Sequence, residues 1–329
     1  MKGYFLKNVG IIVLNWQNWR DTLACLNSLK KLVFSESINI IVCDNGSEDV
    51  SFTKILNWAQ QNYALTEIGV WFSDYFPEIP ANLPTLPFVL IQTSANLGFA
   101  GGNNVGIRYA LATKTCTYLW LLNNDTLVET QALSALYDYA ETQPHLGLIG
   151  STIIDYYQRD QVQCAGGCRY SPLLTVFRPV CGGESLNTVM QKPTVKLDYV
   201  YGASLFFRVT AVEQVGLLNE EYFLFYEELD YSQRLRRQNY DIGWCKNSWV
   251  YHKGSASIGK KSEGNREKLQ TAQYYENLST LKYTANFYPR LLPLVMLLRF
   301  VLKSLILTIR GDFFLLPSLL KAYRDFTHK

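Results

Sequence analysis

A chain of 329 residues, 48% hydrophobic and 18% charged, has room for one large globular domain or two modest ones, and its composition excludes an intrinsically disordered protein. The net charge of +3 is unevenly spread. From Asn286 onward seven basic residues stand against two acidic ones, a net +5, which leaves −2 on the first 285 residues and excludes a basic nucleic-acid-binding body. Seven cysteines, an odd number, argue against a complete disulfide framework, and Cys164, Cys168 and Cys181 lack a fourth thiol at zinc-finger spacing.

The start, M-K-G-Y-F-L-K, passes into a strand at Val9 to Leu14 without a long apolar leader, so the main body is expected in the cytoplasm. A helix follows from about Arg20 to Lys31, with Leu23, Leu26 and Leu29 at helical spacing. A second strand, Ile38 to Cys43, closes on Asp44-Asn45-Gly46-Ser47, and a second helix runs from Asp49 to Gln60. Strand, polar turn and helix have then occurred twice, which predicts a parallel sheet with crossover helices. Residues 62 to 87, with Trp71, Phe72, Tyr75, Phe76 and four prolines, read as an inserted irregular element. Phe88 to Gln92 is the third strand. It feeds the glycine-rich Asn96 to Gly106, and the helix from about Asn103 to Thr113 has an N-terminus able to face a phosphate. The segment is neither a G-x-G-x-x-G fingerprint nor a P-loop.

Tyr118 to Leu122 is a buried strand that ends in Asn123, Asn124 and Asp125. Open α/β sheets place ligands at such strand ends, and a carboxylate there can take a divalent cation; an Asx turn that starts the next helix explains the same residues. A helix from Glu129 to Tyr139 and a strand from Leu146 to Ser151 complete a nucleotide-binding half of about residues 8–151. Residues 152–196 are turn-rich, with short strands expected on either side of Gly202-Ala203 and a helix over Thr210 to Val215. Then three carboxylates, Glu227, Glu228 and Asp230, occupy four positions at the start of a helix, where the positive dipole end also favours acids. Arg234 lies one turn past Asp230 and can pair with it. Strands at Ile242 to Trp244 and Trp249 to Tyr251 lead to His252, the best placed of three histidines for a ligand role. Lys253, Lys260 and Lys261 flank a loop over Gly254 to Gly264 and can meet a phosphate if it closes. A helix over Glu267 to Thr284 ends the first domain, residues 1–285, whose second half spans about 152–285.

Residues 286–329 form an apolar, basic helical tail. Leu291 to Ile309 is nearly all apolar, but Arg299 and Lys303, four apart on one face, favour a helix lying on a membrane surface with both cations reaching anionic headgroups. Packing on the body or on a second subunit, as in a homodimer, explains the same composition.

Taken together V-L-N-W-Q-N, C-D-N-G-S-E-D, N-L-G-F-A-G-G-N-N-V-G, L-L-N-N-D-T, the run F-L-F-Y-E-E-L-D-Y-S-Q-R-L-R-R and His252 are specific in order and spacing. Over roughly residues 8–285 the chain resembles the inverting family 2 glycosyltransferases of GT-A fold, in particular their bacterial rhamnosyltransferase-like branch. The resemblance implies an α/β fold with a Rossmann-like, mostly parallel sheet. It implies that Asn15, Asp44 and Asn96 meet the nucleotide, with Asn123 and Asn124 as polar lining. It implies that Asp125 and His252 hold Mg2+ or Mn2+ on the diphosphate of a nucleotide-sugar donor, and that Glu228 is the general base, with Glu227 as the alternative. Asp230 is assigned to orienting the helix or binding acceptor. Glu228 stands where the family carries aspartate, a change of reach of about 1.5 Å.

The implied reaction is transfer of a sugar, L-rhamnose from dTDP-L-rhamnose or another sugar from a UDP donor such as UDP-galactofuranose, to a surface glycan or lipid-linked glycan. The tail would then hold the enzyme at the inner face of the plasma membrane. A nucleotidyltransferase would need a glycine-rich basic signature that residues 9 to 20 lack. A sugar-binding module would not explain Asp125, Glu228 and His252 together.

Overall fold

The computed structural model describes residues 8–73, 83–254 and 266–328. Lys260 and Lys261, the loop beyond Gly254, and the Tyr75 to Pro80 part of the expected insert lie outside the described residues.

The first half follows the alternation read from sequence. β1 (Asn8–Asn15), α1 (Trp19–Leu29), β2 (Ser37–Asp44) and α2 (Ser51–Asn62) come first, then β3 (Ile68–Phe72), β4 (Phe88–Gln92), α3 (Gly98–Thr113) and β5 (Cys116–Asn123). These five strands are all parallel, in the order β3-β4-β2-β1-β5. Both faces are covered, so the strands are apolar on consecutive positions. Along β1, Val9, Ile11 and Val13 join one core with Leu26 and Trp58, while Ile12 joins the opposite core with Val105. The insert contributes a regular strand: β3 pairs in parallel with β4 along the sheet edge, with Phe72 71% exposed at its end.

Beyond β5 the crossover rhythm stops. β6 (Thr126–Val128), α4 (Ala132–Thr142) and β7 (Leu146–Asp155) lead into β8 (Val162–Ala165), β9 (Gly167–Ser171), β10 (Val176–Pro179), α5 (Leu186–Gln191) and β11 (Tyr199–Val200). The chain then re-enters the main sheet as β12 (Ser204–Arg208), before α6 (Val209–Val215), α7 (Glu227–Arg237) and β13 (Asp241–His252). β12 runs antiparallel between β5 and β7, and β6 runs antiparallel to β13. The sheet is therefore mixed rather than the mostly parallel, Rossmann-like one expected. The excursion through residues 124–203 returns the chain from the opposite end, which forces β12 to run backwards. The two strands expected near Trp244 and Tyr251 are one strand with an irregularity between Cys245 and Trp249. β12 is locked by buried polar contacts: the Trp120 indole donates to Ser204 Oγ at 2.9 Å, and Ser151 Oγ lies 2.8 Å from Ser204 and 2.9 Å from Ser248. β9, β10 and β11 form a small separate sheet.

The glycines of α3 serve packing. A Cβ at Gly102 would meet Leu14 and Asn45, and one at Gly106 would meet Ile12 and Cys43. The helix starts at Gly98, five residues before the expected start, and its first two amides are taken up within the protein: Gly98 N donates to Asn96 Oδ1 and Phe99 N to Phe223 O.

The tail follows α8 (Arg266–Phe287) as α9 (Leu292–Ile309) and α10 (Leu316–Thr327). Arg299, 6% exposed, points inward to Glu276 Oε1 (2.8 Å), Asn277 Oδ1 (2.8 Å) and Thr175 Oγ1 (2.8 Å), and Lys303 shares the same Glu276 oxygen at 2.8 Å. Burial alone would raise the Glu276 carboxyl; the two cations overcome it and hold it below the usual range. The expectation that Arg299 and Lys303 reach outward is thus reversed.

Gly150, on β7, is the tightest backbone approach in the sheet, since a Cβ there would sit 2.0 Å from Gly166 O. Gly150→Ala should cost about 1–3 kcal/mol of overpacking or more, read as a lowered urea midpoint.

Candidate active site

The parallel register puts Asn15 opposite Asp44 and Leu14 opposite Asn123, so the polar residues that end β1, β2 and β5 share one edge of the sheet. There Asn15, fully buried, donates to Asp44 Oδ1 at 2.7 Å and accepts from Thr22 Oγ1 at 2.7 Å. Ser47 Oγ also donates to Asp44 Oδ1, and Gln92 Nε2 lies 3.4 Å from Oδ2. Burial pushes the Asp44 carboxyl above its ordinary value, against those bonds. Asn124 donates to Thr22 Oγ1 at 3.0 Å and ties this edge to the start of α1. Asn15, Asp44 and Asn124 thus form a buried polar layer, and Asp44's partners Ser47 and Gln92 line the adjoining cleft. That cleft, of about 760 Å3, is walled by Trp16, Gln17, Ser47, Phe72, Gln92 and Asn96, among others. Asn96 faces it while its Oδ1 accepts from Gly98 N and Asn45 Nδ2. Asn123, half-buried, ends β5 with its carbonyl accepting from Thr126 Oγ1.

Asp125 and His252 meet across the β6–β13 pairing, with His252 Nε2 3.3 Å from Asp125 Oδ1 and both side chains 6% exposed. Gln163, on β8, sets the imidazole. Its Nε2 donates to Asp155 Oδ2 and to His252 O, both at 2.9 Å, which turns its Oε1 toward His252 Nδ1 at 2.9 Å. An amide oxygen can only accept, so the neutral ring carries its proton on Nδ1 and presents a bare Nε2 to Asp125. Two electron-pair donors thus converge on one point, held by a second layer of bonds, which fits a divalent cation whose remaining ligands come from elsewhere. Among the described residues there is no group of three or more His, Cys, Asp and Glu able to hold a metal alone. Lys253 pairs with Asp21, its Nζ lies 5.0 Å over the Tyr156 ring, and its backbone amide donates to Asp125 O.

The acids of α7 separate clearly. Asp230, 2% exposed, accepts from Arg234 Nε at 2.6 Å, and Arg234 also donates to the carbonyls of Val215 and Leu217. This pair clamps α7 to the end of α6, as the i,i+4 spacing predicts. Glu227 is 2% exposed and its Oε2 has no hydrogen-bond partner. Burial, then the neighbouring Glu228 charge, holds its carboxyl well above the usual range. Glu228 is half-buried, and burial pushes it up to about 7. It needs Gly202: a Cβ there would lie 1.9 Å from Glu228 Oε1. Phe225 and Tyr226, just before the pair, both adopt left-handed backbone, at φ 67° and 77°. For bulky residues that conformation is strained and is held only by surrounding packing.

Tyr201 joins the two halves. Its ring lies 6.0 Å from that of His252, and its hydroxyl is held up by burial and by the charges of Glu228 and Asp125 among others. Glu228, Tyr201, His252 and Asp125 therefore line one site. Tyr201 and Gln163 were not singled out in the sequence; only Tyr201, just before Gly202 at a strand end, carried a local signal.

The fold, a mixed α/β sheet with a C-terminal helical extension, is shared with solved glycosyltransferase structures. Among solved structures the chain is similar to a mannosyltransferase, PcManGT from Pyrobaculum calidifontis, in complex with GDP-Man and Mn2+. That match has a TM-score of 0.53 and 12% identity, covering 97% of this chain and 86% of that one. It is also similar to GalNAc-T7 with UDP, GalNAc and Mn2+, with a TM-score of 0.56 and 10% identity, covering 84% of this chain and 50% of that one. In sequence it is 30% identical over 161 residues to the low-salt glycan biosynthesis hexosyltransferase Agl10 of Haloferax volcanii. That match covers 47% of this chain and 48% of the relative, so the chain aligns with about half of that protein's length. No family model matches the chain.

A carboxyl raised in the folded state binds a proton that the unfolded chain has lost. Stability therefore falls as pH rises from 4.5 to about 7 and levels off above that. Glu227→Gln keeps the shape and removes a buried carboxyl that resists ionising; it should raise stability by about 1–3 kcal/mol at pH 8 and flatten that slope, as read by thermal melts across pH.

Proposed function

We propose that residues 1–285 are a GT-A glycosyltransferase unit. It moves a hexosyl group from a nucleoside-diphosphate sugar to a glycan hydroxyl, with inversion. The observation that carries this reading is Glu228, a carboxylate tuned to about 7, standing across Tyr201 from the Asp125–His252 pair. A base poised near the working pH is half deprotonated and still strong enough to accept a proton. Glu228 takes the proton from the acceptor hydroxyl as its oxygen attacks the anomeric carbon of the donor; Glu227, 2% exposed, has no open access to an acceptor. The nucleoside is placed beside the Asn15–Asp44 layer, with Trp16 and Asn96 on the cleft walls. Asp125 and His252 would hold Mg2+ or Mn2+, which neutralises charge on the leaving diphosphate.

For the donor, a UDP-sugar is the better supported choice. The two similar solved structures carry UDP and GDP-mannose, and the sequence relative is named a hexosyltransferase, whereas nothing among these neighbours points to dTDP-L-rhamnose. L-Rhamnose transfer, and with it assignment to family 2, rests on the motif resemblance alone. The acceptor is proposed to be a surface or lipid-linked glycan. Residues 286–329 are assigned to docking at the inner face of the plasma membrane, on the strength of one apolar helix, Pro289–Ile309, of mean hydropathy 2.1.

A panel of UDP-, GDP- and dTDP-sugars, with and without Mn2+, tests the reading by donor hydrolysis and transfer. Metal-dependent turnover of one donor is expected; turnover of none would defeat it. Glu228→Gln should lower transfer about 10²–10⁴-fold with nucleotide affinity kept, and wild-type rate should rise to half its plateau near pH 7. Gln163→Leu, which frees the His252 ring, should weaken Mn2+ binding about 10–100-fold by calorimetry.

A further inference from the structure

α9 is inside-out for a surface helix. Its two internal cations point into the protein, and its apolar residues point to solvent: Leu294, Leu297, Val301, Leu302, Leu305 and Ile309 are 44–74% exposed. Only 17% of the helix is buried. The Arg299 contact with Thr175 Oγ1 brings a second element beside it, the turn of the β9–β10 hairpin. That turn also displays apolar side chains, with Leu173 40%, Leu174 51% and Val176 43% exposed. Two segments more than a hundred residues apart, joined by that bond, thus each expose a cluster of apolar side chains rather than single scattered ones. Exposed Arg290 and Arg310 bracket α9, and Lys321 lies on the following helix.

We infer that the outward face of α9 and the tip of the β9–β10 hairpin insert together into the surface of an anionic membrane. The charge pattern selects lipid over a second copy of the chain. Antiparallel pairing of two α9 helices would set Arg290 against Arg310, and parallel pairing would set each against itself, whereas anionic headgroups satisfy both ends. An in-plane helix with cations at its edges is the expected geometry for such docking.

The hairpin also fixes the direction of the active site. Its inner face, Tyr170 and Phe177, packs edge-on against Tyr226, immediately before Glu227. At its base Cys168 lies close enough to feel the Glu228 charge. From Cys168 to Leu173 is about 17 Å of extended chain. Resting on the transferase reading, this depth suits an acceptor sugar carried on a lipid, with the donor cleft open to water.

Flotation of the full chain with phosphatidylcholine–phosphatidylglycerol vesicles tests the surface, and it is read without donor, so it stands whether or not transfer is detected. Wild type should float. Leu173→Glu with Leu174→Glu, and separately Val301→Glu, should each lower partitioning about tenfold or more, while Leu65→Glu, at a more exposed leucine elsewhere, should not. Circular dichroism shows whether each variant has folded. Failure of the wild type to float, or flotation of the hairpin variant at the wild-type level, overturns the inference. So does a lipid-free dimer, seen by sedimentation, that Val301→Glu splits while vesicles bind neither form.

Discussion

Two adjacent carboxylates, Glu227 buried and Glu228 half-buried, stand at the start of one helix, and much of the second half of the protein is arranged to hold them there. Isolated, each would cost several kcal/mol to bury in charged form. The helix start offers partial compensation through its dipole and free amides. The left-handed Phe225 and Tyr226 set the angle at which the helix begins. Such strain persists only where the surroundings over-determine it, and here they do. Tyr226 is packed among Tyr170, Phe177 and Tyr283, with its hydroxyl 2.9 Å from Thr280 Oγ1 on α8. Gly202 leaves the space into which Glu228 fits.

The opposite half of the site rests on a different device, the register of parallel strands. Because β1, β2 and β5 end level with one another, their terminal amides and carboxylates bond to each other rather than to water. The result is a stiff polar layer beside a cleft, Trp16 to Asn96, that can hold a ligand. These two devices meet where β12 enters antiparallel beside β5. That entry brings Tyr201 and Gly202 next to Asn123, whose amide donates to Ala203 O.

Sequence periodicity and strand-end chemistry were enough to read the strand–helix alternation of the first half and to single out the polar strand ends. Parallel strands buried on both faces write long apolar runs, and their polar ends stand out against them; Asp44, Asn123 to Asp125 and His252 were visible for that reason. What stayed hidden depends on neighbours distant in sequence. β3 looked irregular because prolines follow it, yet it needs only β4 to become a strand. The backward entry of β12 leaves no mark within Ser204 to Arg208. Gln163 is an ordinary strand glutamine until His252 lies beside it. The glycines of α3 read equally as a phosphate loop or as close helix packing, and the contacts of Gly102 and Gly106 show the packing.

Arg299 and Lys303 show the same limit most sharply. Their spacing predicts a shared face but not which way that face points. Glu276 settles the direction, because a carboxylate on α8 binds both at once and turns both toward the body. Turning the cations inward turns the leucines outward, since one helix cannot bury both faces against the same neighbour. The ion network therefore does two things together. It fastens the tail to α8, which also carries Thr280 beneath Tyr226, and it presents the apolar face beyond the body. The surface that seeks a nonpolar partner and the helix that supports the strained start of α7 are joined through one buried carboxylate.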